Sequence, residues 1–234
     1  MNARTPPTAN QLLRSLPLSE YRRLSPALEP VSLTFGDVLC ETGGEIKHVY
    51  FPNAGIISLL SPADDKALLE VGLIGREGMF GVPVTLGLSV SPARALVQGN
   101  GSAMRMRSAQ FRSIVKLCSA LQLALHQHTY SLLRQISQTA VCNTFHPTEA
   151  RLARWLLTTG DRMCSDQFVH TQAFLAAMLG VQRPRVSAAA SGLQRRRLIS
   201  YSRGRVSILN RRKLEAAACS CYRATNRIYR AALR

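Results

Sequence analysis

The sequence predicts an α+β chain in which short strands come first and helices follow. Three observations carry this. Between Val31 and Met106, short apolar or alternating runs are separated by Gly, Pro, Asn and Asp clusters. From Ser108 the apolar spacing lengthens to three and four residues. The segment Thr171 to Leu209 then sets two short helical patterns around a glycine, followed by an arginine-rich hairpin pattern.

Residues 10 to 29 read as one or two short helices, with Asn10 and Ser19 placed to cap LLRSL and EYRRL. The runs VSLTF, DVLC, HVYF, GIISLL, ALLEVGLI, ARALVQG and SAMRMR read as strands. Their close spacing predicts an antiparallel sandwich or barrel-like roll rather than β-α-β units. Glycines 36, 43, 44, 55, 72, 75, 78 and 81 are expected at the turns.

From Ser108 onward, Ile114, Leu117, Leu121, Leu125, Leu132, Ile136 and Ala140 lie three, four or seven apart, and no Gly or Pro occurs from Ser102 to Phe145. A long helix follows. Leu123, Leu133 and Val141 add a second apolar face, more than a small roll can cover, so a homodimer is expected. Its seam is expected along Leu117, Leu121, Leu125, His128, Leu132 and Ile136, an imperfect coiled coil because Gln135 and His128 interrupt it. Pro147 breaks the pattern, making Phe145-His146-Pro147 the joint between halves. A new helix, EARLARWLLTTGDRM, is expected to end near Gly160. The expected domains are a sensor roll over 1–116, a dimerisation helix over 117–145 and a DNA-binding domain over 146–234.

In that last domain Thr171 caps a short helix with Phe174, Leu175, Met178 and Leu179 on its apolar face. Gly180 supplies a left-handed turn. A second helix, over 182–197, starts near Gln182 and tolerates Pro184 in its first turn. Its apolar face is Val186, Ala189, Ala190 and Leu193, leaving Arg183, Arg185 and Ser187 outward. LISYSRG and RVSIL form a two-stranded wing around Arg203-Gly204. Asn210 caps one last basic helix running through Cys219 and Cys221. Two helices and a glycine turn, the second opening with arginines, match the geometry that sets a helix into the DNA major groove.

Charge agrees. The chain carries 30 Lys+Arg against 13 Asp+Glu, a net charge of +17. From Thr171 onward there are 14 basic residues and one acidic residue, Glu215, so this region holds +13 of the +17. Such concentration is the footprint of a polyanion partner, here double-stranded DNA. No apolar run approaches membrane-spanning length and no apolar signal core follows Met1, so a cytoplasmic protein without a membrane partner is expected.

Other chemistry finds little footing. No nucleophile elbow or Walker sequence occurs, and Gly72-x-x-Gly75-x-x-Gly78 precedes a strand pattern, so catalytic residues and enzymatic activity are not expected. The six cysteines show no framework spacing and are expected as free thiols. On one helix, Cys219 and Cys221 would point to opposite sides, so neither a metal nor a cofactor is expected. Trp155 is expected in the core, and Tyr201 either against the DNA backbone or packed.

A β-roll, long helix and winged helix-turn-helix in this order resemble the Crp/Fnr superfamily of bacterial transcription regulators. Phe35-Gly36-Asp37-Val38-Leu39 with Gly43 is similar to the family's first roll turn. His48-Val49-Tyr50-Phe51-Pro52 with Gly55, Glu77-Gly78-Met79-Phe80-Gly81 and Thr171 to Ile199 carry the rest of the likeness. It implies a double-stranded, cyclic-nucleotide-binding-like roll and a homodimeric regulator on a near-palindromic DNA site, with RNA polymerase as a possible partner. By the same likeness Arg183 and Ser187 read bases, Arg183 foremost, while Gln182, Arg185, Arg195, Arg196, Arg203 and Arg205 hold phosphates.

The chain also departs from the pattern. Pro184 and Ala188 stand where the family often has a Glu and a later Arg, so its best-known half-site does not transfer. The effector pocket would include Phe80, Gly81, Val82 and Arg94. Val82 stands where nucleotide-binding members have the ribose-binding Glu and offers no acceptor, so cyclic AMP is not the expected effector. No cysteine precedes Cys40, which disfavours the family's N-terminal iron-sulfur route. The alternative reading is a non-specific architectural DNA-binding protein.

Overall fold

The structure, a computed structural model, describes residues 7–64 and 67–232. The described residues divide into two compact units, one drawn from 7–59, 72–134 and 229–232, the other from 60–64, 67–71 and 135–228. The division falls inside the long helix, and the far ends of two roll strands group with the C-terminal unit.

The first unit opens with α1 (Gln11–Arg14) and α2 (Leu18–Leu24). Asn10 caps α1, accepting from the Leu13 amide at 3.1 Å. Ser19 does not cap α2, because the helix already begins at Leu18 behind Pro17. The strands are β1 (Glu29–Leu33), β2 (Val38–Cys40), β3 (His48–Asp64), β4 (Ala67–Ile74) and β5 (Arg94–Arg107), with the single turn α3 (Val82–Thr85) before β5. They form one sheet in the order β1-β5-β3-β4, with β2 also pairing β5. β1 runs antiparallel to β5 from Glu29 opposite Arg105 to Leu33 opposite Gly101.

Sequence runs expected as separate strands are thus continuous: HVYF joins GIISLL in β3, and ARALVQG joins SAMRMR in β5. Gly55 and Gly72, expected at turns, lie inside strands. The reason at Gly55 is a close approach of backbones. Its φ is +86°, and a Cβ there would stand 2.6 Å from the Gly99 carbonyl oxygen. Phe51, Ile56, Ile57, Ile74, Met79, Met106 and Phe111 fill the core of this unit, with Phe51 and Phe111 edge-to-face at 5.9 Å.

The helical stretch expected from Ser108 is interrupted. α4 (Ser108–Val115) ends before α5 (Ser119–Phe145) begins. Glu20 explains the restart: its carboxylate accepts the Ala120 and Leu121 amides at 3.1 and 2.9 Å, capping the new helix from a distance. Arg23 donates to the Leu117 carbonyl oxygen at 2.8 Å and holds the break.

The expected dimer seam turns inward. Leu121, Leu125 and His128 are buried within the chain, Leu132 and Ile136 are half-buried, and only Leu117 is exposed. Gly78 makes room for the His128 ring, whose Nε2 lies 3.2 Å from the Met79 nitrogen and 3.0 Å from its oxygen. The apolar side chains that α5 leaves to solvent are instead Leu123, Tyr130, Leu133, Val141 and Phe145.

In the second unit α6 (Thr148–Met163) follows Pro147 and runs one turn past Gly160, closing at Cys164 with φ +51°. β6 (Gln167–Val169), α7 (Gln172–Leu179), α8 (Arg183–Arg195), β7 (Ile199–Ser202) and β8 (Arg205–Ile208) follow. The wing has three strands in the order β6-β8-β7, rather than the two expected. β6 is three residues long and has no partner near it in sequence, so no alternation betrays it. The last basic helix is also two: α9 (Arg211–Ala217) and α10 (Cys221–Ala232), parted by the extended Ala218. Asn210 does cap α9, accepting from the Lys213 amide at 3.0 Å.

Candidate nucleic-acid interface

The helix pair is built as its residues dictate. Thr171 Oγ1 accepts from the Phe174 amide at 3.1 Å and starts α7. Gly180, at φ +59°, ends it: the Val181 and Gly180 amides turn back to the Ala176 and Ala177 carbonyls at 3.0 and 3.1 Å. α8 begins at once, with Gln182 in the cap position and Pro184 in the first turn. It ends in the same kind of turn, with Arg197 at φ +56° and the Leu198 amide on the Leu193 carbonyl at 3.0 Å.

One face of α8 is fixed and the other free. Val186, Ala189, Ala190 and Leu193 are buried at 5% exposure or less, which sets the rotation of the helix. Gln182, Arg183, Arg185 and Arg195 are exposed, and Ser187, one turn beyond Arg183 on the same side, is half-buried. The wing turn places Arg203 and Gly204 at φ +48° and +79° between Ser202 and Arg205, which pair across the hairpin. Two left-handed residues make the tight turn that suits the twist of paired strands, and both wing arginines stand in solvent.

Arg196 is differently placed. Its Nη1 lies 2.7 Å from Glu149 Oε1, so this expected phosphate ligand carries a carboxylate partner. Glu149 can reach it because position 192 is glycine; a Cβ there would overlap the carboxylate. Arg211 is also committed internally, pairing with Asp161, with Asp166 at 3.5 Å and with Glu215 at 3.2 Å, and accompanied by Tyr222 on Asp161 at 2.8 Å.

Buried polar groups stiffen the platform. Arg151 donates to the Leu179 carbonyl at the end of α7 and to Asn143 Oδ1 at 2.8 Å. Trp155 lies in the core, 2% exposed, with its Nε1 donating to Glu70 at 2.9 Å. His170 stacks on Phe174 at 4.8 Å and meets Trp155 edge-on at 5.3 Å. Burial pulls the His170 pKa down to about 4, which keeps the ring neutral. Tyr201 donates its hydroxyl to the His170 carbonyl at 2.7 Å, so it is packed. The helix pattern marked Arg183 and Arg185, but neither Glu149 nor Arg151 carries a local signal, because their partners lie 47 and 28 residues away.

In the roll, Phe80 is buried and bridged to Tyr50 by amide-carbonyl bonds of 2.8 and 3.0 Å. Gly81 adopts φ +114° against Val49, and Val82 is buried. Arg94 pairs with Glu41 at 3.2 Å.

Residues 150–217 match the model of the Crp-like helix-turn-helix domain. Among curated proteins, no sequence relative matches the chain. Solved structures match the fold over most of the chain. FixK2 from Bradyrhizobium japonicum is 14% identical with a TM-score of 0.68, covering 82% of this chain and 98% of that one. A CRP-family transcriptional regulator from Thermus thermophilus is 16% identical with a TM-score of 0.68, covering 80% and 96%. A second regulator from that organism, of the CRP/FNR family, is 20% identical with a TM-score of 0.66, covering 81% and 98%. Residues 150–217 are thus a Crp-like helix-turn-helix domain, and the chain has the fold of Crp/Fnr-family structures. α7 and α8 lie inside the matched helix-turn-helix domain. Among the described residues, no helix is long and apolar enough to cross a membrane.

Proposed function

We propose that this protein is a homodimeric, sequence-specific transcription regulator of the Crp/Fnr type that sets the start of α8 into successive major grooves of a near-palindromic site. One observation carries the reading: the first turn of α8 is exposed and cationic while the opposite face is buried, inside a domain matching the Crp-like helix-turn-helix. Arg183 reads a base and Ser187 lies behind it on the same stripe. Gln182, Arg185, Arg195, Arg203 and Arg205 meet phosphates, and Arg196 joins them only when Glu149 yields it. The dimer forms along the α5 side chains left in solvent, with Leu123 and Leu133 each 60% exposed, rather than along the inward seam. The effector is not cyclic AMP: Val82 supplies no ribose acceptor, and Arg94 already holds Glu41.

Sequencing genomic fragments retained by the pure protein, with and without cell metabolites, tests this reading. The expected result is one motif of two inverted half-sites about 10 base pairs apart. Retention without a motif, with a specificity ratio near one, supports the architectural alternative. Leu133→Asp should give a monomer in sedimentation and lose the paired motif. A stable dimer in that variant removes the proposed interface.

A further inference from the structure

The break between α9 and α10 brings together four side chains that the sequence pattern kept apart. α9 ends at Ala217, Ala218 is extended at φ −71° and ψ 152°, and α10 restarts at Cys221. Cys219 and Cys221 therefore do not share a helix, and their thiols turn to one place. Cys142 and His146, four residues apart at the end of α5, face that same place. All four ligand atoms lie within 4.8 Å of one another. We infer that Cys142, His146, Cys219 and Cys221 form a tetrahedral site for one thiolate-loving divalent ion, zinc foremost, and that the bound ion staples the end of α5 to the α9–α10 junction.

The dimensions fit an ion. Cys142 Sγ lies 3.5 Å from Cys219 Sγ, and Cys221 Sγ lies 3.5 Å from His146 Nδ1. A tetrahedron with Zn–S of ~2.3 Å and Zn–N of ~2.0 Å has edges of roughly 3.5–3.8 Å. An iron-sulfur cluster, whose ligands attach to different iron atoms, needs them spread wider. The surroundings suit a charged centre too. The three thiols are buried, with Ala150 packed on them. Gln138 Nε2 donates to Cys221 Sγ at 3.0 Å, and the Cys219 amide bonds to the Ala150 carbonyl at 3.4 Å. The Arg154 guanidinium acts electrostatically on both Cys142 and Cys219. Three thiolates and a neutral imidazole around a divalent ion leave a single negative charge, which that arginine offsets. Expecting no metal followed from reading one unbroken helix through Cys219 and Cys221; the chain break removes that reason.

The test uses the full chain, purified under reducing conditions, with metal measured by mass spectrometry after gel filtration. The expected result is about one zinc per chain. Replacement by cobalt should give the intense visible bands of tetrahedral cobalt and near-ultraviolet thiolate charge-transfer bands. Cys142→Ser and His146→Ala should lose tight binding or shift those bands, while Cys118→Ser, remote from the site in sequence, should bind as wild type. Circular dichroism checks that the variants are folded. If a variant unfolds, the cobalt spectrum of the wild-type protein still decides. A chelator strong enough to strip the ion should lower the melting temperature. Reduced wild-type protein that binds no cobalt, iron accompanied by acid-labile sulfide, or a Cys142–Cys219 disulfide in protein kept free of oxidants would each overturn the inference. None of these outcomes depends on how the protein reads DNA.

Discussion

Glu149→Gln isolates the electrostatics of the proposed DNA surface. The carboxylate holds Arg196 at 2.7 Å, and the two side chains are 37% and 52% exposed. In so exposed a pair the stability at stake is small, ~0.2–1 kcal/mol. The consequence for DNA is larger, because the substitution removes an anion near the phosphates and frees a cation. If each freed Arg196 adds one phosphate contact, the slope of log K against log salt steepens by about 0.9 per protomer and about 1.8 per dimer. Over a fourfold dilution of salt, from ~200 to ~50 mM, the variant should therefore gain roughly tenfold more affinity than wild type does. Fluorescence anisotropy on random duplex across a salt series measures both slopes, and a melting curve checks that the fold is retained. An unchanged or shallower slope in the variant would refute the idea that Glu149 withholds Arg196 from DNA. It would instead make the pair a contact that positions the end of α8.

Arg183→Ala should lose ~1–3 kcal/mol on the selected motif and little on random duplex; equal losses on both would remove its reading role. Thr171→Ala deletes the cap that accepts the Phe174 amide at 3.1 Å and should cost ~1 kcal/mol in chemical denaturation, with Thr171→Ser restoring most of it. His170 should make the fold acid-sensitive. Its folded pKa of about 4 lies below the value of ~6.5 that it regains on unfolding. Its contribution is thus complete above pH ~6.5, falls as pH drops toward about 4, and is then constant, a loss of ~3 kcal/mol. His170→Phe, which keeps an aromatic ring on Phe174, should flatten that part of the profile. An unaltered profile would assign the acid sensitivity elsewhere, with buried His128 the next candidate.

Much of the fold was legible where the cause is local. Caps at Asn10, Thr171 and Asn210 are side chains bonding amides three residues on, and the turn at Gly180 needs only a residue that accepts positive φ. The core face of α8 follows from helical spacing alone. What escaped is non-local. β6 pairs with β8 some forty residues later, and Gly55 is required by a strand that arrives at Gly99. Spacing shows that α5 has two apolar faces but not which one its own roll covers. That choice fell to contacts such as His128 with Met79. The same holds for Glu149, whose pairing with Arg196 across 47 residues no local pattern announces.

By itself, then, the sequence determined the order of roll, long helix and helix-turn-helix, and which end of the molecule is built for a polyanion. Both follow from periodicity, capping and charge, which act over a few residues or simply add up. Only the tertiary structure decided which face of α5 stays in solvent, which arginine is already paired, and that Cys142, His146, Cys219 and Cys221 meet. Those outcomes depend on where the chain breaks its helices and on segments brought together from 47 to 77 residues apart.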